Sequence, residues 1–444
     1  MKSIHYALIA ILTTSLALWL GTEHALSTPL HFWPLRKTII YGSGIIAIIA
    51  MSFGTLLAIR QFFSDSFLDG LDKRYKLHKW LGIAGFVAAV THWLFIKAPK
   101  WLVDLDILIK PIKNKHGNGE SLSWFANFFD YQRHFAKDVG EWAFYALIIL
   151  VLLMLSKKIT YKLARQSHKL MTVVYLVLVY HSVVLMKMAD WVTPMGIFLM
   201  LVLAAGSVSA LISLFGKVGS SKQAHGQIST LQHYTDNKVL AVTIQLTTPW
   251  SGHDAGQYAF VTFDKKEGPH PFSITSSWDD SGDISFNIKQ IGDYVNTLPS
   301  SLAVGDEVIV EGPYGNFNID SDKQQHIWIA GGIGIAPFLS RLDSLANQEN
   351  TPDITLFYTT RMPDDAFIKQ LNNRCEQAGV TAHIINTKQR SGLTAAEIAA
   401  VVNNFSTTDV WFCGPAKFGN TLKSHFIKTG LARHDFHQEL FDMR

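Results

Sequence analysis

Charge is the scarcest property of this chain. Asp, Glu, Lys and Arg make up only 17% of its 444 residues, whereas apolar types reach 48% and the mean hydropathy is positive. A soluble protein carries about 25% charged residues. The shortage is local: the first half holds long apolar runs, and the second half has ordinary globular composition. Cysteine is nearly absent too, with only Cys375 and Cys413. Two thiols cannot supply the four thiolates of a usual iron–sulfur cluster, which excludes a fused ferredoxin domain. They form no disulfide framework either, and both fall in the second half, as expected of a domain kept in a reducing compartment. No block of like charges occurs and the net charge is only +4, so nucleic acid is not expected as a partner.

What is present in the first half is a set of apolar segments, at 4–20, 38–59, 77–97, 140–156, 168–187 and 191–215. Each approaches the roughly 20 residues a helix needs to span a bilayer. The first, which follows Lys2 and precedes Ala25 and Ser27, also resembles a signal peptide; a retained helix is the reading adopted. Basic residues set the orientation. Lys157, Lys158, Lys162, Arg165 and Lys169 flank the fifth segment, and Arg60, Lys73, Arg74, Lys76 and Lys79 flank the third. Both clusters are assigned to the cytoplasm, and with them everything from Lys217 onward. The stretch from Lys97 to Lys137 is then outside despite its lysines, offset by Asp104, Asp106, Glu120, Asp130 and Asp138. Its aromatic residues Trp124, Phe125, Phe128 and Phe129 predict helices lying on the membrane surface.

Four histidines fall inside these spans. His78 and His92 lie 14 residues apart in the third segment, and His168 and His181 lie 13 apart in the fifth. At 1.5 Å per residue the spacings are about 21 and 20 Å. The two helices run parallel, so His78 is level with His168 and His92 with His181. Polar groups in lipid are expensive and usually functional. Two facing imidazoles at one depth can ligate a haem iron from both sides; interhelical hydrogen bonding and proton relay are the competing uses. The 13-residue spacing also turns His168 and His181 about 140° apart around an ideal helix, so the haems must sit around that helix, or the helix is irregular.

In the second half a polar stretch, 216–227, is expected to be a linker. Strand-like runs follow at 238–247, 256–263, 284–290 and 307–311, which predict a small antiparallel barrel. Strands at 326–330, 354–358 and 409–413 then alternate with helices, a parallel α/β layout. Two motifs stand out. His270-Pro271-Phe272-Ser273 offers a flavin an apolar wall, a hydroxyl donor and a partner for its pyrophosphate. Ala330 to Phe338, directly after a strand, brings Gly331, Gly332 and Gly334 to a helix start where backbone N–H groups can meet a pyrophosphate. Ala336 and Pro337 replace the usual third glycine.

Together these residues resemble the NADPH oxidase and ferric reductase superfamily, from about residue 38 to the C-terminus. The resemblance implies a six-helix ferric-reductase-like transmembrane haem domain (1–215), an antiparallel β-barrel FAD domain (222–320) and an α/β Rossmann-like NAD(P) domain (321–444), the last two forming a ferredoxin–NADP-reductase-like module. It implies that His78, His92, His168 and His181 ligate two b haems, that Phe272 lines the isoalloxazine and that Ser273 approaches N5. The flavin-pyrophosphate turn of the family is matched by Lys289, Gly292, Asp293 and Tyr294, with Val295 in place of the hydroxyl residue often found there; Gly312 to Gly315 follow. Pro337 joins the glycines of the nucleotide turn. Thr360 and Arg361 would face the adenosine end, and Cys413, Gly414 and Pro415 the nicotinamide. Phe441 would stack on the flavin. Arg361, with no acid close after the strand, favours NADPH over NADH. Ser273, Cys413 and Phe441 are the expected catalytic set; a buried apolar thiol, a surface arginine and core packing are the plain alternatives for Cys413, Arg361 and Phe441. The implied activity is electron transfer from cytoplasmic NAD(P)H through FAD and two haems to an acceptor outside a plasma (inner) membrane. That acceptor would be a ferric chelate, oxygen giving superoxide, or a periplasmic redox protein. The rival reading is a flavin reductase on a haem-free anchor or on proton-relay helices.

Overall fold

The computed structural model describes residues 2–22, 31–63, 68, 70–109, 124–156, 159, 161–346, 352–390 and 392–439. Ala25, Ser27, Glu120, Lys157, Lys158 and Phe441 therefore lie outside the described residues. The chain divides into two units near Val218.

Among the described residues the first unit contains six helices long and apolar enough to cross a membrane. They are α1 (Lys2–Leu20), α2 (Phe32–Leu57), α3 (Leu71–Asp104), α4 (Trp124–Leu155), α5 (Tyr161–Leu185) and α6 (Pro194–Leu214). Small residues let them approach. Gly42 of α2 lies against the Trp19 ring of α1, and Gly206 of α6 leaves room for the Tyr175 hydroxyl. That hydroxyl shares a hydrogen bond of 2.8 Å with Ser52 of α2, the interhelical polar contact expected where no water competes. At the start of α6 the Thr193 side chain accepts from Gly196 N and Pro194 fills the first turn.

The helices are longer than the apolar runs. Lys73 to Lys79 belong to the first turns of α3, and Lys162, Arg165 and Lys169 to the first turns of α5. Residues 124–138 do not form separate surface helices. They are the first half of the 32-residue α4.

The second unit begins with a six-stranded antiparallel sheet ordered β4-β3-β6-β1-β2-β5. Its strands are β1 (Gln223–Tyr234), β2 (Val239–Leu246), β3 (Tyr258–Thr262), β4 (His270–Ser273), β5 (Asp283–Lys289) and β6 (Glu307–Tyr314), with a four-residue helix α7 (Leu298–Ser301) before β6. An Ile274–Phe286 bridge joins its two edges into a barrel. The expected linker is shorter than 216–227, since β1 begins at Gln223. Its polar residues alternate with buried Ala224, Gly226 and Ile228, as a strand with one wet face requires.

A five-stranded parallel sheet follows, ordered β11-β10-β7-β8-β9. It comprises β7 (Gln325–Gly331), β8 (Asp353–Thr360), β9 (Thr381–Asn386), β10 (Thr408–Cys413) and β11 (Phe436–Glu439). Helices α8 (Ala336–Leu345), α9 (Asp365–Gln377), α10 (Ala395–Ala399) and α11 (Ala416–Lys428) cover it. Central β7 is buried on both faces: Trp328 and Ala330 pack into one core, Ile327 and Ile329 into the other. Barrel and α/β domain are fastened by hydrogen bonds. The Tyr234 hydroxyl donates to Gln370 at 2.6 Å, Asp236 N to Asp364 at 3.3 Å, and the Ser340 hydroxyl to Ser276 O at 2.8 Å.

Candidate active site

The membrane histidines face each other in the expected pairs. The His78 and His168 ring centroids are 5.7 Å apart, those of His92 and His181 6.4 Å. Two imidazoles on opposite sides of one metal hold their centroids roughly 6 Å apart, given metal–nitrogen bonds of about 2 Å. Nδ1 of His78 donates to Gly54 O at 2.8 Å, that of His92 to Ile40 O at 2.7 Å, and that of His181 to Ala136 O at 2.7 Å. A ligating histidine nearly always spends its second ring N–H in this way, which fixes the tautomer and leaves Nε2 for the metal. Among the described residues no group of three or more His, Cys, Asp or Glu could hold a bare ion. Paired imidazoles suit a group that brings its own equatorial donors, and haem is such a group. Next to His78, Gly82 of α3 faces open space. The residues present therefore fit haem.

The unequal spacings have a structural counterpart. Ile40 and Gly54 on α2 are 14 residues apart, as are His92 and His78 on antiparallel α3, so one helix anchors both rings of the other. On regular α5 the 13-residue spacing turns the two rings apart. His181 lies against Ala136 and Gly140 of α4, whereas His168 is exposed and has no carbonyl partner among the described residues. The two imidazole pairs thus lie around α5 rather than along one stripe.

In the barrel, the flavin-motif residues form edge strand β4, paired with β3 alone over His270 to Ser273. The His270 ring stacks between Phe272, at 6.4 Å, and Tyr294, at 5.0 Å. Ser273 is buried, and its hydroxyl has no hydrogen-bond partner. An orphaned buried hydroxyl costs free energy unless a ligand satisfies it, so the site fits a flavin. Burial pushes the Tyr294 phenol up to about 12, helped by Asp264 and Glu267. Gly292 is left-handed, with open space where a side chain would stand. Lys289, expected with the flavin pyrophosphate, lines a narrow crevice with Asn237, Gly332, Ile333 and Thr360. Its Nζ donates to Asn237 O, and burial lowers its pKa.

In the α/β domain the glycine turn lies at the C-terminal edge of β7, where parallel sheets bind ligands. Its glycines have different duties. A side chain at Gly334 would collide with Cys413 O, and one at Gly331 would meet Pro415 Cδ at 2.8 Å, so these two let the β7 and β10 turns touch. Gly332, left-handed at φ 58°, faces open space. Pro337 is buried in the first turn of α8. The Thr360 hydroxyl already accepts from Met362 N, while Arg361 is exposed. Gly414 and Pro415 carry the chain from β10 into α11. Cys413 is fully buried, and burial pushes its thiol well above the usual range.

One residue escaped sequence reasoning. Glu439 pairs in register with Cys413 across β10 and β11. Its Oε2 is shut off from solvent without a hydrogen bond, and burial pushes the carboxyl up to about 8. The only sequence signal was its place two residues before Phe441.

Three family descriptions match in succession: ferric reductase like transmembrane component over residues 43–179, FAD-binding domain over 225–318, and oxidoreductase NAD-binding domain over 328–423. The chain has the make-up of the ferric reductase and NADPH oxidase superfamily. The matches give it a ferric-reductase-like transmembrane component followed by an FAD-binding domain and an oxidoreductase NAD-binding domain. The reductase component of propane 2-monooxygenase from Rhodococcus jostii is 34% identical over 118 residues, 25% of this chain and 31% of that protein. Phenol hydroxylase P5 protein from Acinetobacter pittii is 27% identical over 217 residues, 46% and 61% respectively. The chain thus spans from under a third to about three fifths of the length of these relatives. Among solved structures, a flavohemoglobin from Malassezia yamatoensis aligns over 91% of this chain and 98% of its own, at 17% identity and a TM-score of 0.49.

Proposed function

We propose that the chain carries electrons from NAD(P)H, with FAD held by the barrel and two b haems held by His78/His168 and His92/His181, to an acceptor across the membrane. FAD held there would supply hydride uptake with one-electron release, and haem would supply one-electron carriage. The four histidines would hold the irons through Nε2, three of them oriented by backbone carbonyls. Ser273 would give its orphaned hydroxyl to the flavin ring. Gly332 and Arg361 would hold the nucleotide, with Lys289 beside its pyrophosphate, Cys413, Gly414 and Pro415 would shape the nicotinamide end, and Phe441 would stack on the flavin. Basic residues at the starts of α3 and α5 support a plasma (inner) membrane orientation with the nucleotide domains in the cytoplasm. Two imidazoles would hold each haem, so the acceptor would receive its electron without binding the metal. A ferric chelate or oxygen, giving superoxide, can do so.

The observation that carries the reading is the pair of facing imidazole levels with carbonyl-anchored Nδ1 atoms. Haem analysis of the purified full chain tests it: a reduced b-type spectrum and about two haems per chain are expected. A ratio near zero from haem-replete cells would leave a flavin reductase on a membrane anchor.

A further inference from the structure

The outer pair, His92 and His181, is seated against glycines more tightly than the inner pair. A Cβ on Gly140 of α4 would collide with the His181 ring at Nδ1. That ring cannot swing clear and keep its donation to Ala136 O, which lies one turn earlier on the same helix. Behind His92, a Cβ on Gly44 of α2 would stand 3.0 Å from Nδ1 and 3.1 Å from Cε1, while Ile40 O on that helix holds Nδ1 at 2.7 Å. The inner level is slack by comparison: a Cβ on Gly54 would meet His78 Nδ1 at 3.8 Å, an ordinary contact. The glycines therefore let α4 and α2 approach the backs of two imidazoles closely enough to hold them. A ring pushed off such a seat loses the hydrogen bond that sets its tautomer and its alignment with the opposing ring.

We propose that Gly140 is the positioning residue of the outer haem seat, with Gly44 its weaker counterpart, so that one added methyl empties this seat with no ligand changed. The proposal rests on the haem reading above. The inner seat tolerates the same change at Gly54.

Full-length wild type, Gly140→Ala, Gly44→Ala, Gly54→Ala and His181→Ala would be compared by haem per protein, reduced spectrum, redox titration and FAD content. Wild type and Gly54→Ala should carry about two haems and titrate in two steps. Gly140→Ala should carry about one, with the spectrum and single redox step of His181→Ala, and with normal FAD. Gly44→Ala should shift or partly lose only the step missing in His181→Ala. Two haems with unchanged potentials in Gly140→Ala overturn the proposal, as does equal haem loss in Gly54→Ala. If Gly140→Ala does not accumulate, Gly44→Ala decides, and a wild-type titration from it overturns the proposal. A wild type without haem overturns the haem reading and the proposal together; the first two results overturn the proposal alone.

Discussion

Arg361 and Glu439 show how much one side chain can decide. Arg361 is exposed at the end of β8, where its planar guanidinium can grip the 2′-phosphate that distinguishes NADPH from NADH. A charge-assisted contact of this kind contributes about 1.5–3 kcal/mol, roughly ten- to a hundredfold in affinity. Arg361→Ala should lower kcat/KM for NADPH by that factor and leave NADH nearly unchanged; equal losses would make it a general anchor. Glu439 acts through its proton. Burial pushes its folded carboxyl up to about 8, whereas the unfolded chain releases that proton above about 4.3. The folded state then binds more protons between these values, so stability falls as pH rises from about 4.3 to about 8 and levels off beyond. Glu439→Gln should flatten the slope and exceed wild type at pH 9, measured by thermal release of FAD from the full chain. Parallel curves for the two proteins would mean the carboxyl stays hydrated.

Helices and strands differ in how far the sequence disclosed them. The six spans, both histidine pairs and the nucleotide motifs were legible because each has a strong local signature: apolar length, a polar residue in lipid, glycines after a strand. Strand β1 was hidden, since its exposed face carries Gln223, His225 and Gln227, and that composition looks like a linker until the buried alternate residues are seen. Four-residue β4 and edge strands β9 and β11 are too short or too polar to announce themselves. The turn-packing role of Gly331 and Gly334 depends on β10, some 80 residues away, which no local pattern encodes. At this scale α3 and α5 make a separable prediction. His92→Ala or His181→Ala should remove one haem while NAD(P)H still reduces the haem that remains. Loss of flavin reduction in the folded variant would contradict the order from nucleotide to inner to outer seat.

For the whole molecule, the proposed electron path implies charge movement. An electron crossing the bilayer against 100 mV costs about 2.3 kcal/mol. In sealed vesicles with the nucleotide domains facing out, NAD(P)H should build a potential that is negative inside, and an ionophore that collapses it should speed turnover. Turnover indifferent to the ionophore would mean that electrons leave on the side they entered. The anchoring of three histidines by main-chain carbonyls also bears on how such a protein can vary. Gly54, Ile40 and Ala136 serve through atoms every amino acid possesses, so these oxygens place no demand on which side chain is written there. They do constrain counting. One residue inserted between His78 and His92 would rotate one ring about 100° away from its acceptor, and only a compensating insertion between Ile40 and Gly54 could follow it. Substitutions at the three carbonyl-bearing positions are therefore comparatively cheap and frameshifts of helical register are not: α2 and α3 are bound to change length together or not at all.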